Sequence, residues 1–241
     1  MKRLCSICAR GGSKGVPNKN LRTIGGIPLI GFSVIQAARS GLFNHIAVSS
    51  DSPEILATAK DYADIIPILR PASMATDTAP KLPVIQHCFS EVEKTTGMRF
   101  ETAVDIDATS PLRSVDDLVA AVKLLESRSD ADNLITAMPA RRSPYFNLVE
   151  QHDDGFVQLS KTLNSSIIRR QDAPPSYDMN ASIYVWERSK LLSAERVVGA
   201  KTILYVMPEE RSIDIDSALD FRIVEMLLLE RMTEFNWVKP I

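Results

Sequence analysis

The sequence predicts an α/β fold built on a largely parallel sheet, with a small β-hairpin inserted late in the chain. Apolar runs of strand length alternate with amphipathic helical patterns through most of the 241 residues, which is the signature of βαβ units. A glycine-rich basic loop follows the first of these runs. The alternation then breaks between about residues 140 and 180. The length suits one domain spanning 1–241, with 140–180 as an inserted hairpin and loop subdomain.

Taken in order, the predicted strands are Arg3–Ala9, Ile46–Ser49, Ile65–Leu69, Ala103–Ala108, Leu134–Met138, Ser182–Trp186 and Thr202–Met207. Pro28–Ser40 reads as a helix because its apolar residues recur at helical spacing and Gly41 follows as a C-cap. Pro53–Ala63 has Ser52 before it, and Leu82–Lys94 is apolar at the same spacing. Ser114–Ser127 opens with Ser114 and Asp117 in a capping-box arrangement, and Ser217–Met232 forms an apolar closing helix. In the interrupted region, Asn147–Glu150 and Phe156–Leu159 flank the turn His152-Asp153-Asp154-Gly155 like an antiparallel hairpin. Asn164 to Met179, with Pro174-Pro175, reads as a loop over the site or toward a partner subunit.

Hydrophobic residues make up 45% and charged residues 24% of the chain, and the formal net charge is −2. That balance gives no bulk attraction to nucleic acid or to a membrane surface. Basic residues gather instead in the early loop and around Arg141, Arg142, Arg169 and Arg170, a distribution that suits one compact anionic ligand. No apolar run is long enough to span a bilayer, and the stretch after Arg3 is broken by Ser6 and Arg10, far short of a secretory segment. With three cysteines no disulfide framework is implied, and a cytoplasmic location is expected. Cys5 and Cys8 stand three apart on a predicted strand, so they face opposite sides and cannot share a metal.

The chemistry begins in Ala9-Arg10-Gly11-Gly12-Ser13-Lys14-Gly15-Val16-Pro17-Asn18-Lys19-Asn20. Three glycines let backbone N–H groups approach a phosphate, while Arg10, Lys14 and Lys19 bring positive charge to the same loop. The spacing matches neither the P-loop nor the dinucleotide fingerprint. At the other end of the chain, Asp214-Ile215-Asp216 in an extended segment puts two carboxylates on one face, which suits Mg²⁺ completed by water and phosphate. Asp216 equally suits the N-cap of the closing helix. A second pair, Asp105-Ile106-Asp107, ends at the C-terminal edge of a predicted parallel strand, where open α/β sheets bind ligands. Asp107 is either a further metal ligand or the partner of an arginine such as Arg113. Three widely spaced histidines offer neither a nitrogen-rich metal site nor an obvious general base.

The basic loop, Leu69-Arg70-Pro71 with Ala75-Thr76-Asp77-Thr78, Thr109-Ser110-Pro111-Leu112-Arg113, Asn180-Ala181-Ser182-Ile183-Tyr184 and Ser212-Ile213-Asp214-Ile215-Asp216 occur in that order. Together they resemble the motifs of the acylneuraminate cytidylyltransferase family (CMP-sialic acid synthetases) across nearly the whole chain. The resemblance implies a Rossmann-like fold of the nucleotide-diphospho-sugar transferase type, whose inserted hairpin is a dimerisation region. It implies transfer of CMP from CTP to a nine-carbon 2-keto sugar acid, with Mg²⁺ as cofactor and a homodimer as the assembly. Ala9, Arg10, Gly11, Gly12, Ser13, Lys19, Arg70, Thr76 and Asp107 then fall to the nucleotide, and Asp107, Asp214 and Asp216 to the metal. Asn180 and Tyr184 match positions facing the sugar acid. Arg10, Lys19, Asp214 and Asp216 are the catalytic candidates.

Two departures bear on the substrate. Asp107 stands where many sialic acid synthetases have Gln, and Phe146 lies where they tend to have a lysine nearby. An aromatic there cannot pair with a carboxylate, so the sugar's acid group falls to Arg141, Arg142 or Arg170. These features, with Tyr177-Asp178-Met179-Asn180, are most similar to the legionaminate branch, whose less polar sugar suits Phe146. Cytidylyltransferases for sialate, pseudaminate or 3-deoxy-manno-octulosonate are the rival readings within the fold. A non-catalytic nucleotide-sugar-binding protein is the rival of another class.

Overall fold

The computed structural model describes residues 1–13, 15–76, 78–163 and 169–235. In chain order, β1 (Arg3–Cys8) leads through the basic loop to a two-stranded turn, β2 (Thr23–Ile24) and β3 (Ile27–Pro28), and then to α1 (Leu29–Ser40). Next come β4 (His45–Ser50), α2 (Pro53–Lys60), β5 (Ile66–Leu69), α3 (Lys81–Thr96), β6 (Thr102–Ile106), α4 (Val115–Glu126) and β7 (Asn133–Pro139). The hairpin β8 (Val149–Gln151) and β9 (Val157–Leu159) follows, then β10 (Tyr177–Glu187), α5 (Arg188–Ser193), β11 (Thr202–Val206) and α6 (Ala218–Phe235).

Seven strands form one sheet in the order β11-β7-β10-β6-β1-β4-β5. Six run parallel, and β10 runs antiparallel between β6 and β7. The expected α/β class therefore holds, with one strand reversed. That strand is also longer at its start than periodicity predicts: Tyr177–Met179, expected as loop, pair with β7 before the register shifts ahead of Tyr184. Ala181 sits in this irregularity with φ +51°, a left-handed conformation uncommon for alanine. Propensity could not show that either segment joins the same sheet, because pairing is a tertiary choice.

Helices cover both faces of the sheet. Ile30, Val34, Ile55, Leu118 and Val122 from α1, α2 and α4 pack on one face with Cys5 and Ile7. Leu82, Ile85, Phe89 and Val92 of α3 pack on the other with Leu4, Trp186 and, at its edge, Cys8. Cys5 and Cys8 thus face opposite sides, as expected from their spacing. The second flank of α1 (Leu29, Phe32, Ile35) is covered by Phe221, Val224 and Leu228 of α6. The caps read from sequence are present: Gly41 in the left-handed conformation at φ +61°, Ser52 accepting from the Ile55 N–H, and the reciprocal Ser114/Asp117 box.

Between β7 and β10 the described part of the chain leaves the main sheet. β8 and β9 pair only with each other, and Leu148, Val149, Phe156 and Val157 are exposed. No helix among the described residues is long and apolar enough to cross a membrane.

Candidate active site

A cleft of about 320 Å³ opens at the C-terminal ends of the parallel strands, beside the point where β4 and β6 leave β1 in opposite directions. Open α/β sheets place ligands at such a switch point. Arg10, Ser13 and Lys19 of the basic loop, Arg70, Thr76, Asp107 and Asp216 all line it. Residues far apart in the chain are therefore brought together.

The loop is fixed from both ends. Ala9 N–H donates to the Ser49 carbonyl at 3.0 Å, Gly11 N–H to Asp51 Oδ1 at 2.9 Å, and Asn20 Nδ2 to the Arg10 carbonyl at 2.9 Å. Gly12 has open space where a Cβ would stand, whereas a Cβ on Gly15 would lie 2.1 Å from the carbonyl oxygen of Asp216. Only glycine allows this approach of loop to acidic segment. Lys19 strengthens the junction: its Nζ donates to the Ile215 carbonyl and lies 3.5 Å from Asp216 Oδ1. Lys14 and Asp77 lie outside the described residues.

Asp214-Ile215-Asp216 alternates as expected, with Ile215 fully buried against α1 and α6 and its N–H donating to the Thr109 carbonyl at 3.0 Å. Burial and the neighbouring charge of Asp216 raise the Asp214 carboxyl above its ordinary range. A divalent cation would relieve that repulsion, and Mg²⁺ commonly takes one or two carboxylates plus substrate phosphate and water. The pair thus fits the ion, although among the described residues no three acidic, imidazole or thiol groups converge on one metal position. The capping alternative for Asp216 does not occur: Ser217 Oγ accepts from the Asp220 N–H at 3.2 Å, and Asp220 Oδ2 accepts from Ser217 N–H at 2.7 Å.

Asp107 has a different partner from either one expected. Its Oδ2 accepts from Lys81 Nζ at 2.7 Å, and its Oδ1 accepts from both the N–H and the hydroxyl of Thr109 at 2.9 Å. Arg113 bonds only the Asp107 backbone carbonyl, together with Ser182 and Ser33. Lys81 also lies 3.2 Å from the buried Asp105 Oδ2 and 4.7 Å from the Tyr184 ring centroid. Burial opposes both charges, but each holds the other ionised: Lys81 is raised and Asp107 lowered from their ordinary values.

Lys81 is the residue sequence reasoning missed. It opens α3 one position before the predicted helix, where a cation is unfavourable to the helix dipole and no local pattern marks it. Asn20, which closes the loop motif without an assigned role, and Asp51, which carries no signal beyond its polarity, anchor the loop. Asn180 is buried, its amide spent on Thr136, Ser212 and the Ser182 N–H. Tyr184 is buried beneath Lys81. Arg70 is buried at the cleft wall, donating to the Ser49 carbonyl at 2.6 Å. Arg141, Arg142 and Phe146 lie exposed on the inserted arm and do not line the cleft, and the side chain of Arg170 lies outside the described residues.

A cationic loop closing on an acidic segment at the switch point of a doubly wound sheet defines a nucleotidyltransferase. The model of the family described as Cytidylyltransferase matches residues 4–230, and the chain belongs to that family. It is 48% identical over 225 residues to the CMP-N,N'-diacetyllegionaminic acid synthase of Campylobacter jejuni, covering 93% of this chain and 94% of that one. It is 46% identical over 228 residues to the post-translational flagellin modification protein B of Campylobacter coli, with 95% of each covered. Among solved structures, a CMP:2-keto-3-deoxy-manno-octonic acid synthetase complexed with CTP superposes with a TM-score of 0.69 at 14% identity, covering 96% of this chain and 100% of that one. That likeness concerns the fold.

Proposed function

We propose that this enzyme transfers CMP from CTP to the anomeric C2 hydroxyl of a nine-carbon 2-keto sugar acid, releasing pyrophosphate, with N,N'-diacetyllegionaminate as the favoured acceptor. The observation that carries the reaction is the contact of Gly15 and Lys19 with the Asp216 segment across one cleft. The acceptor is supported by the two relatives above and by Phe146, an aromatic on the arm next to Arg141 and Arg142.

Little covalent work falls to the protein in such a displacement; positioning and charge neutralisation supply most of the acceleration. The backbone N–H of Gly12 and the Ser13 hydroxyl cradle the phosphates, while Gly11, its N–H held by Asp51, sets the turn. Arg10 and Lys19 hold the charge that builds on the departing pyrophosphate. Arg70 and Thr76 flank the nucleoside. Asp214 and Asp216 would hold Mg²⁺, which would supply neutralisation of phosphate charge. Asp107, held ionised at the cleft, orients groups near the reacting phosphorus, and Tyr184 and Asn180 shape the floor on the acceptor side.

Arg141, Arg142, Arg170 and Phe146 contact the sugar acid from an arm that docks on a second subunit. The exposed Leu148, Val149, Phe156 and Val157 support a homodimer, since a two-stranded hairpin is not stable alone. The enzyme works in the cytoplasm, where its three cysteines stay as thiols.

Incubation with CTP, Mg²⁺ and a panel of legionaminate, sialate, pseudaminate and octulosonate tests the acceptor. A CMP-linked product from legionaminate at the highest kcat/KM is expected, and preference for another acid refutes it. Asp216→Asn should lose turnover by at least about 10³-fold while unfolding like the wild type; near-normal activity refutes the metal site.

A further inference from the structure

Lys81 is an unusual residue to find where it is. It begins a 16-residue helix, the end at which a positive charge is least favoured. It lies over the Tyr184 ring, between the Asp105 and Asp107 carboxylates, and its side chain is 28% exposed to the cleft. The carboxylates come from alternate residues of β6 and its C-terminal end, so they share one face of the sheet. Ser6 Oγ donates to Asp105 Oδ1 at 2.7 Å, and Thr109 donates twice to Asp107 Oδ1. Of the oxygens left over, Asp107 Oδ2 accepts from the ammonium at 2.7 Å, and the buried Asp105 Oδ2 lies 3.2 Å from it with no hydrogen bond of its own.

Two carboxylate oxygens facing one point beside a nucleotide cleft make half of a divalent-cation site. Here that point is filled by nitrogen at 2.7 Å and 3.2 Å. A divalent ion bound to Asp107 Oδ2 would lie within a few ångströms of the ammonium, and like charges so close repel strongly. Ammonium and metal therefore exclude each other at this position.

We infer that Lys81 is a built-in cation: it takes the place at Asp105 and Asp107 that a second divalent ion would otherwise occupy, and so confines the enzyme to one metal, at Asp214 and Asp216. Lys81 acts here as a positioning residue. It keeps Asp107 ionised and oriented without a metal. The inference rests on the reading that Asp214 and Asp216 hold the divalent ion.

Counting Mn²⁺ per chain tests it, by electron paramagnetic resonance of free Mn²⁺ during titration of the protein saturated with a non-hydrolysable α,β-methylene CTP. The wild type should bind one ion, and Asp107→Asn should still bind one with affinity within threefold. Lys81→Met should bind two, falling back to one in the Lys81→Met/Asp107→Asn double variant, while Lys81→Arg should keep one. Two ions in the wild type, loss of an ion in Asp107→Asn, or a folded Lys81→Met protein that still binds one overturns the inference. If Lys81→Met does not fold, the wild-type and Asp107→Asn counts decide alone. Asp216→Asn separates the underlying reading: unchanged Mn²⁺ binding in that variant overturns the Asp214–Asp216 metal site, whatever Lys81 does.

Discussion

Gly15→Ala is the most direct test of how the site is closed. A Cβ at Gly15 would lie 2.1 Å from the Asp216 carbonyl oxygen and 3.3 Å from its carbonyl carbon. Ordinary contact begins at 3.4 Å, so the two segments must separate by about 1.3 Å. Both are main chain, and no rotamer change relieves the clash. The separation also pulls Lys19 from Ile215 and moves Asp216 relative to the phosphate loop. Misplacement of about 1 Å in a positioning site costs about 10²-fold. The expected result is therefore a fall of about 100-fold in kcat/KM for CTP, or about 2.7 kcal/mol of transition-state stabilisation. Strain of about 1–3 kcal/mol should also lower Tm by roughly 2–12 °C for a domain of this size. Pyrophosphate release at varied CTP reads the first, and thermal unfolding the second. Gly12→Ala serves as the stability control, because nothing lies within 4 Å of its Cβ. A Gly15→Ala enzyme with wild-type Tm and kcat/KM within threefold of wild type would refute the contact.

Other outcomes follow from the same geometry. Lys19→Met should lower kcat/KM about 10²–10³-fold, beyond the roughly 1–3 kcal/mol of unfolding stability lost with its bond to the Ile215 carbonyl; steady-state kinetics and urea unfolding check this. Arg211→Met should cost about 1–3 kcal/mol by urea unfolding, because the buried Asp117 carboxylate loses the guanidinium that holds it at 2.8 Å and keeps only Ser114 and Tyr205. Burial alone would raise the Asp117 carboxyl, but Arg211 and Ser114 bring it below the ordinary range. Its contribution is therefore fully present above about pH 4 and is lost as pH falls below that toward the folded-state value. Asp117→Asn should flatten this acid limb of the urea midpoint, and an unchanged limb would count against the assignment. Phe156→Asp should shift sedimentation from dimer to monomer while leaving the unfolding of the sheet domain intact; a dimer that persists removes the arm from the interface.

Much of this was legible in the sequence because the relevant signals are local. The strands β1, β4, β6 and β11 and the helices α1, α3 and α4 each carry their own periodicity or cap, and the structure moves their ends by a residue or two. The helix expected over Pro53–Ala63 stops sooner, at Lys60. Loop and acidic segment were legible as separate pieces, each with a composition that suits a charged ligand. What periodicity could not give was pairing across the fold. β10 reads as one more strand of a parallel sheet, and only its neighbours show that it is reversed. Lys81 is an ordinary surface residue by pattern, and its meaning comes from Asp105 and Asp107, whose own spacing was visible. The short α5 was missed because six residues make less than two turns.

The reversal of β10 has a mechanical corollary. One strand of 11 residues, about 35 Å if straight, begins at the root of the exposed arm, passes the buried Tyr184, Val185 and Trp186 and ends at the exposed Glu187. Along it, the break at Ala181 divides a peripheral half that pairs with β7 alone from a central half gripped on both sides. The arm and the layer beneath Lys81 are thus two ends of a single spar, with the irregularity at Ala181 set between them.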